Sequence, residues 1–370
     1  MKKIICIFGT RPEAIKMAPV LRELQEKKNL FRTVVVVTAQ HREMLDQVLR
    51  LFNLQSDYDL GIMQESQTPY HITASALSRL ERVIKEENPD LILVQGDTTT
   101  TFAAALAAFY QKVPVGHIEA GLRSYDRFNP YPEEVNRLLT DALCDFHFAP
   151  TLTAKRNLIK ENIKKESIFV TGNTVIDALY LALKKPHRFR NSFLRKIDFN
   201  KKRIILLTAH RRENWGTPLE NICLSTKKLI HEYDDLEIVY PVHLNPEVKK
   251  VVHKILKNSP HIHLIKPLDY LDFVNLLNKC FLVLTDSGGL QEEAPSLGKP
   301  VLLLRKVTER PEAVKAGTVK VVGLSRERIF KETCKLLDSK RMYDRMAKSV
   351  NPYGDGKASQ RIVNAILGKK

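Results

Sequence analysis

Long apolar runs are missing from this 370-residue chain; none approaches the roughly 18 to 20 residues that a membrane span requires. Met1-Lys2-Lys3 leads straight into the apolar stretch 4–8, which is too short for the core of a secretory leader and lacks a cleavage site. A cytoplasmic location is expected, with no membrane partner. The five cysteines, Cys6, Cys144, Cys223, Cys280 and Cys334, form no CxxC pair. That argues against a metal site or a disulfide framework and for reduced structural thiols. Tandem repeats and low-complexity segments are absent as well. Acidic residues are in short supply, 42 Asp and Glu against 59 Lys and Arg, which leaves a net charge of +17. Such an excess raises the question of nucleic acid, but no nucleic-acid module can be recognised. The basic stretches 184–190 and 201–203 read as solvated surface, so no nucleic-acid partner is expected. A phosphorylated small molecule satisfies a basic site equally well.

With 44% hydrophobic and 27% charged residues, the composition is that of an ordinary globular protein, and the length favours two domains. Strand-like runs at 3–8, 33–38, 90–95, 113–119, 145–149 and 168–170 leave room for one helix between each pair. Helical spacing is visible at 13–26, and 102–110 is rich in alanine. The runs are continuously apolar, as a parallel sheet covered on both faces requires. The same grammar restarts at 203–208 and continues through 236–240, 261–265, 281–285, 300–304 and 319–322. The basic, proline-interrupted stretch between the two sets marks a boundary. The expected fold is α/β, with two doubly wound domains facing a central cleft. Residues 1–171 form the first domain and 172–350 the second, and 351–370 pack back on the first.

Two segments join a strand to a helix in a way that suits an anion: Gly9-Thr10-Arg11-Pro12-Glu13-Ala14-Ile15-Lys16 and Thr285-Asp286-Ser287-Gly288-Gly289-Leu290-Gln291-Glu292-Glu293. Backbone N–H groups and the positive end of a helix dipole converge at such a junction. Two junctions suggest a diphosphate. Arg11-Pro12-Glu13-Ala14 recurs as Arg310-Pro311-Glu312-Ala313, either as two ordinary helix starts or as two arginines beside helix N-termini. Open α/β sheets bind ligands beyond the carboxyl ends of their strands, where Arg11, Asp97, Glu119, His210, His243 and Ser287 all fall. Asp97 could be the cap of the helix that follows it. Together with Glu119 and Glu133 it gives three carboxylates from neighbouring connections in a basic protein, a set that points to proton chemistry. Gly288 and Gly289 permit close backbone approach to a diphosphate. Glu293 could accept ribose hydroxyls or complement its helix dipole.

These residues lie in a series of longer segments: 9–19, Gln40-His41-Arg42-Glu43-Met44, Gly96-Asp97-Thr98-Thr99-Thr100, Gly116-His117-Ile118-Glu119-Ala120-Gly121-Leu122-Arg123, Pro132-Glu133-Glu134-Val135-Asn136-Arg137, His210-Arg211-Arg212-Glu213-Asn214, 285–298 and Asn351-Pro352-Tyr353-Gly354-Asp355-Gly356. In that order, over essentially the whole length, they resemble the non-hydrolysing UDP-N-acetylglucosamine 2-epimerases, a family of GT-B architecture. The resemblance implies reversible epimerisation at carbon 2 of the sugar, with elimination of UDP to a 2-acetamidoglucal and re-addition to give UDP-N-acetylmannosamine for cell-surface polysaccharides. It implies no cofactor and no metal. The matching catalytic residues are Asp97, Glu119, Glu133 and His210, with Asp97 as base and Glu119 or Glu133 as the opposite-face acid. The UDP-sugar partner would be held by Arg11, Lys16, His243, Phe273, Ser287, Gly288, Gly289, Glu293 and Arg310. A second UDP-N-acetylglucosamine acting as activator would meet Gln40, His41, Gln47, Gln64 and Arg211, although exposed glutamines are also ordinary polar surface. A homodimer is implied too. Some relatives carry a glutamine before the aromatic of the uracil pocket, where this chain has Leu268, which offers no side-chain hydrogen bond. Competing readings are the hydrolysing epimerase, a GT-B glycosyltransferase and a catalytically silent UDP-sugar sensor.

Overall fold

The computed structural model describes residues 1–38, 42–62 and 68–368, with the backbone alone for 42–44. The chain divides into two compact units. Met1–Ala182 and Tyr353–Lys370 make up the first, and Leu183–Pro352 the second. Each is built on one wholly parallel sheet.

The first unit's strands are β1 (Lys2–Phe8), β2 (Phe31–Val37), β3 (Tyr58–Asp59), β4 (Leu91–Gln95), β5 (Val115–Ile118), β6 (Phe146–Ala149) and β7 (Ile168–Val170), in the order β3-β2-β1-β4-β5-β6-β7. The second unit has β8 (Arg203–Thr208), β9 (Leu236–Pro241), β10 (Ile262–Ile265), β11 (Leu282–Thr285), β12 (Val301–Leu303) and β13 (Val319–Val321), ordered β10-β9-β8-β11-β12-β13. Both orders reverse direction once, at β1/β4 and at β8/β11. A doubly wound sheet opens a crevice for ligand at that switch point.

Apolar periodicity explains how the layers close. Ile5, Ile7, Val34, Val36, Ile92 and Val94 form one buried face of the first sheet, packed against Ala103, Ala104, Ala107 and Ala108 of the helix Thr99–Tyr110. Alanine lets that helix sit close to the sheet without leaving voids. In the second unit Ile205, Leu207, Ile238, Tyr240, Leu282 and Leu284 pack with Leu219, Ile222 and Cys223 of the helix Thr217–Glu232. The terminal helix Ala358–Gly368 lies on the helix Arg11–Glu26 and is tied to the first unit through Asp177, whose carboxylate accepts from Ser359 N at 2.8 Å. All twelve strands expected from the sequence are present. The short β3 is additional: two residues are too few for a periodic signal.

Candidate active site

Asp97 and Glu119 occupy the carboxyl ends of β4 and β5, and their surroundings differ. Thr98, not Asp97, caps the helix Thr99–Tyr110, accepting from Thr101 N at 3.3 Å. The Asp97 side chain is thereby released from the cap role. Its Oδ2 accepts from Arg137 Nε at 3.0 Å and Nη2 at 2.7 Å, while Oδ1 has no partner among the described residues. Arg137 is itself held by Glu134, at 3.0 Å. Glu119 is buried, and three donor side chains surround its carboxylate: Lys16 Nζ at 2.7 Å from Oε1, Asn173 Nδ2 at 3.0 Å from Oε1, and Gln95 Nε2 at 2.5 Å from Oε2. The Glu119 backbone is left-handed, with φ of +74°. A non-glycine residue tolerates that conformation only where its surroundings over-determine it, a condition concentrated at functional sites.

Glu133 begins the helix Glu133–Leu143 and makes no ion pair with another described residue. Burial pushes its carboxyl above the usual range; its own backbone N–H lowers it, nearby Asp97 raises it further, and Arg137 offsets part of the rise. Two neighbouring carboxyls thus sit in contrasting settings. One faces a guanidinium; the other is inclined to keep a proton.

A buried polar network holds the two strand-end loops. His117 bridges from Nε2 to the Gly96 carbonyl (2.7 Å) and from Nδ1 to Asp141 Oδ1 (2.6 Å). Asp141 Oδ2 accepts from Arg123 Nη2 at 2.6 Å and from Gly121 N at 3.2 Å. Gly96 precedes Asp97 and Gly121 follows Glu119, so one His–Asp pair fixes both carboxylate-bearing turns. Burial pushes the Asp141 carboxyl up, but His117 and Arg123 outweigh it and bring it to about 2. Gly121 has φ of +82°, and a methyl placed on it would lie 2.4 Å from the Ala154 carbonyl oxygen. No other residue fits there.

The first of the two junctions departs from its expected role. Glu13 folds back so that its Oε2 accepts from Gly9 N at 2.9 Å and Thr10 N at 2.7 Å. The same carboxylate takes the Thr101 hydroxyl at 2.9 Å. These N–H groups are therefore filled by the chain's own side chain, a capping arrangement, and are not offered to an anion. Arg11 is partly exposed and makes no hydrogen bond or ion pair among the described residues.

The second junction is open. Ser287 N donates to Thr285 Oγ1 at 2.9 Å, whereas the N–H groups of Gly288 and Gly289 have no partner among the described residues. A methyl on Gly288 would meet only Arg211 Nη2 at 3.6 Å, and one on Gly289 only Glu293 Oε2 at 3.6 Å. Both are ordinary contacts. The protein itself therefore does not demand glycine here, while a group resting on the backbone would. Glu293 is buried and accepts from Tyr270 Oη at 3.3 Å. Arg310 is ion-paired with the buried Glu292 and donates to the Glu309 carbonyl. Phe273 lies on the helix Tyr270–Lys279, partly buried.

His210, after β8, stacks on exposed His243 with ring centroids 5.2 Å apart and planes inclined by 11°. Burial lowers the His210 imidazole below its ordinary range; Asp286 offsets part of this, and His243 and Arg211 add to the lowering. Among the residues expected at an activator site, Gln47 is exposed on the helix Arg42–Phe52, and Arg211 adjoins His210. Gln40, His41 and Gln64 lie outside the described residues. Among the described residues no cluster of His, Cys, Asp or Glu could hold a metal, and no helix is long and apolar enough to cross a membrane.

Comparison with known proteins gives matches over nearly the whole chain. Residues 22–367 match the family model described as UDP-N-acetylglucosamine 2-epimerase. The chain belongs to the UDP-N-acetylglucosamine 2-epimerase family. The enzyme of that name from Bacillus subtilis strain 168 is 52% identical over 365 residues, covering 99% of this chain and 95% of the relative. The crystal structure of the Neisseria meningitidis UDP-GlcNAc 2-epimerase bound to UDP-GlcNAc superposes with a TM-score of 0.89 at 52% identity, covering 99% of both chains. That of the Methanocaldococcus jannaschii enzyme in complex with UDP-GlcNAc and UDP gives 0.79 at 38% identity, again covering 99% of both. Within this UDP-N-acetylglucosamine 2-epimerase family member, sequence reasoning left several supporting residues without a role. Arg137 and Asp286 stood inside recognised segments, and Gln95, Asn173 and Asp141 stood outside them. Their signal is three-dimensional, because each acts by donating to or accepting from a residue far away in sequence.

Proposed function

We propose that this family member interconverts UDP-N-acetylglucosamine and UDP-N-acetylmannosamine without net hydrolysis, by elimination and re-addition of UDP. The hydrogen on carbon 2 has no neighbouring carbonyl to acidify it, so direct abstraction is prohibitive. Breaking the bond from carbon 1 to the diphosphate oxygen first sends that electron pair to UDP, and the developing oxocarbenium makes the hydrogen on carbon 2 labile. Asp97 takes the proton, and its C–H electrons form the carbon 1–carbon 2 double bond of 2-acetamidoglucal. A proton delivered to the opposite face of carbon 2, with attack of the UDP oxygen at carbon 1, completes the inversion. The steps are redox-neutral, so the chemistry asks for no cofactor.

The observation that carries this reading is the divergence of the two carboxyls: Asp97 is engaged by Arg137, while burial favours the protonated form of Glu133. A base and an acid side by side are what a two-face proton transfer needs. Glu133 is the better acid of the two candidates, because Glu119 is already occupied by Lys16, Gln95 and Asn173. In this reading the first unit supplies acid and base, and the second holds UDP through Ser287, Gly288, Gly289, Glu293, Phe273 and Arg310, with His210 stabilising the departing diphosphate. The same reading includes a second UDP-N-acetylglucosamine as activator, a homodimer, a cytoplasmic location and a supply role in polysaccharide synthesis. NMR of the reaction in D2O tests it: deuterium should enter carbon 2 of both UDP-sugars. Free N-acetylmannosamine with stoichiometric UDP would instead mark a hydrolysing enzyme, and binding without exchange would mark a sensor.

A further inference from the structure

Asp286 follows β11 at the point where the second sheet reverses direction, and it is completely buried. Its two oxygens are used unequally. Oδ2 accepts from His210 N and Arg211 N, each at 2.8 Å, and from Asn214 Nδ2 at 3.0 Å. Oδ1 has no hydrogen-bond partner among the described residues, and it faces His210 Nδ1 at 3.6 Å, an ion-pair separation. A buried carboxylate oxygen left without a donor is costly, which makes this one a strong selector of its neighbour's protonation.

We propose that Asp286 is a positioning residue that fixes His210 in the form protonated on Nδ1, leaving Nε2 as the nitrogen that exchanges its proton with solvent and bound ligand. A carboxylate oxygen can only accept, so Nδ1 must carry hydrogen to face it favourably. The backbone around the ring is pinned from several directions. Trp215 Nε1 donates to the His210 carbonyl at 3.2 Å, and Tyr240 Oη to the Ala209 carbonyl at 2.6 Å. His243, stacked on the same ring, accepts from Asn245 N through its own Nδ1 at 3.1 Å, so its proton when neutral resides on Nε2. The stacked rings therefore have opposite tautomers, each set by a different neighbour. Burial, His243 and Arg211 bias His210 toward its neutral form, against the opposing pull of Asp286. A bound diphosphate adds the negative charge that draws a proton from solvent onto Nε2 and turns it into a donor to the leaving group. This step rests on the proposed function, in which the second unit holds the diphosphate. The tautomer itself does not.

The test is long-range 1H–15N NMR of the full-length protein with 15N-labelled histidine at pH 8, the His210 signals being assigned by their loss in His210→Gln. The wild-type ring should show hydrogen on Nδ1 and a bare Nε2. Asp286→Asn keeps the shape. Its amide oxygen must still serve the three donors, which turns its NH2 toward Nδ1 and forces the proton to Nε2. Turnover should then fall about 10- to 100-fold while UDP affinity stays within about threefold, because an amide NH2 facing Nδ1 disfavours the ring protonated on both nitrogens that the carboxylate supports. A wild-type ring protonated on Nε2, an unchanged tautomer in Asp286→Asn, or unchanged turnover after the tautomer has flipped would each overturn the proposal. The wild-type spectrum decides the tautomer even if the variant does not fold. An Nδ1-protonated ring without exchange at carbon 2 would remove the epimerase reading and leave the Asp286–His210 pairing intact.

Discussion

Asp97 and Glu133 show how residues of one chemical type are given different surroundings by their neighbours. Asp97→Asn keeps the contact to Arg137 in outline but removes the proton acceptor, so turnover should drop about 100-fold or more, read as loss of deuterium entry at carbon 2. Near-normal exchange would remove Asp97 from the base role. In the proposed mechanism Glu133 serves as acid only while protonated, so activity should decline as pH rises through its raised value. Glu133→Gln should abolish that alkaline limb of kcat together with most of the turnover; a limb that persists belongs to another group. Asp97, Glu119 and Glu133 could be picked out in the sequence because carboxylates from neighbouring connections of a basic protein are conspicuous. Their division of labour could not, since it depends on Arg137 and Lys16 reaching across 40 and 103 positions of the chain.

At the scale of elements, the turns that carry these groups are held by buried polar links and by tight backbone packing. Asp141 illustrates the first. Its carboxyl is lowered from 3.8 to about 2, so its contribution is fully present above pH 4 and is lost as pH falls through about 2. The effect is on the order of 2 kcal/mol, and acid titration of stability should show it, with Asp141→Asn flattening that part of the curve. A curve identical in wild type and variant would contradict the assignment. Gly9 illustrates the second. A methyl there would lie 2.1 Å from Thr38 Oγ1 and 2.8 Å from Thr100 Oγ1, short buried side chains that can yield little. Gly9→Ala should cost about 1–3 kcal/mol in denaturant unfolding; a loss under about 0.5 kcal/mol would show that the turn relaxes. Both strand–helix junctions were evident in the sequence, and their difference was not. A glutamate in the first turn of a helix reads the same whether it points to solvent or, as Glu13 does, back into the N–H groups of Gly9 and Thr10. At the Gly288–Gly289 junction the two glycine N–H groups have no such partner among the described residues.

For the molecule as a whole, two parallel sheets with one reversal each are the direct consequence of alternating apolar runs and amphipathic helices, which is why the architecture was legible throughout. The family was legible through the resemblance of its segments, whereas the His117–Asp141 and His210–Asp286 pairings emerge only when β-strands distant in sequence lie side by side. In the proposed mechanism, inversion at carbon 2 passes through cleavage of the anomeric carbon–oxygen bond. The most direct measurement places 18O in the bridging position of UDP-N-acetylglucosamine and follows the label by 31P NMR during turnover. The label should scramble into the non-bridging β-phosphate positions as the epimer forms. Product accumulating while the label stays in the bridge would contradict it.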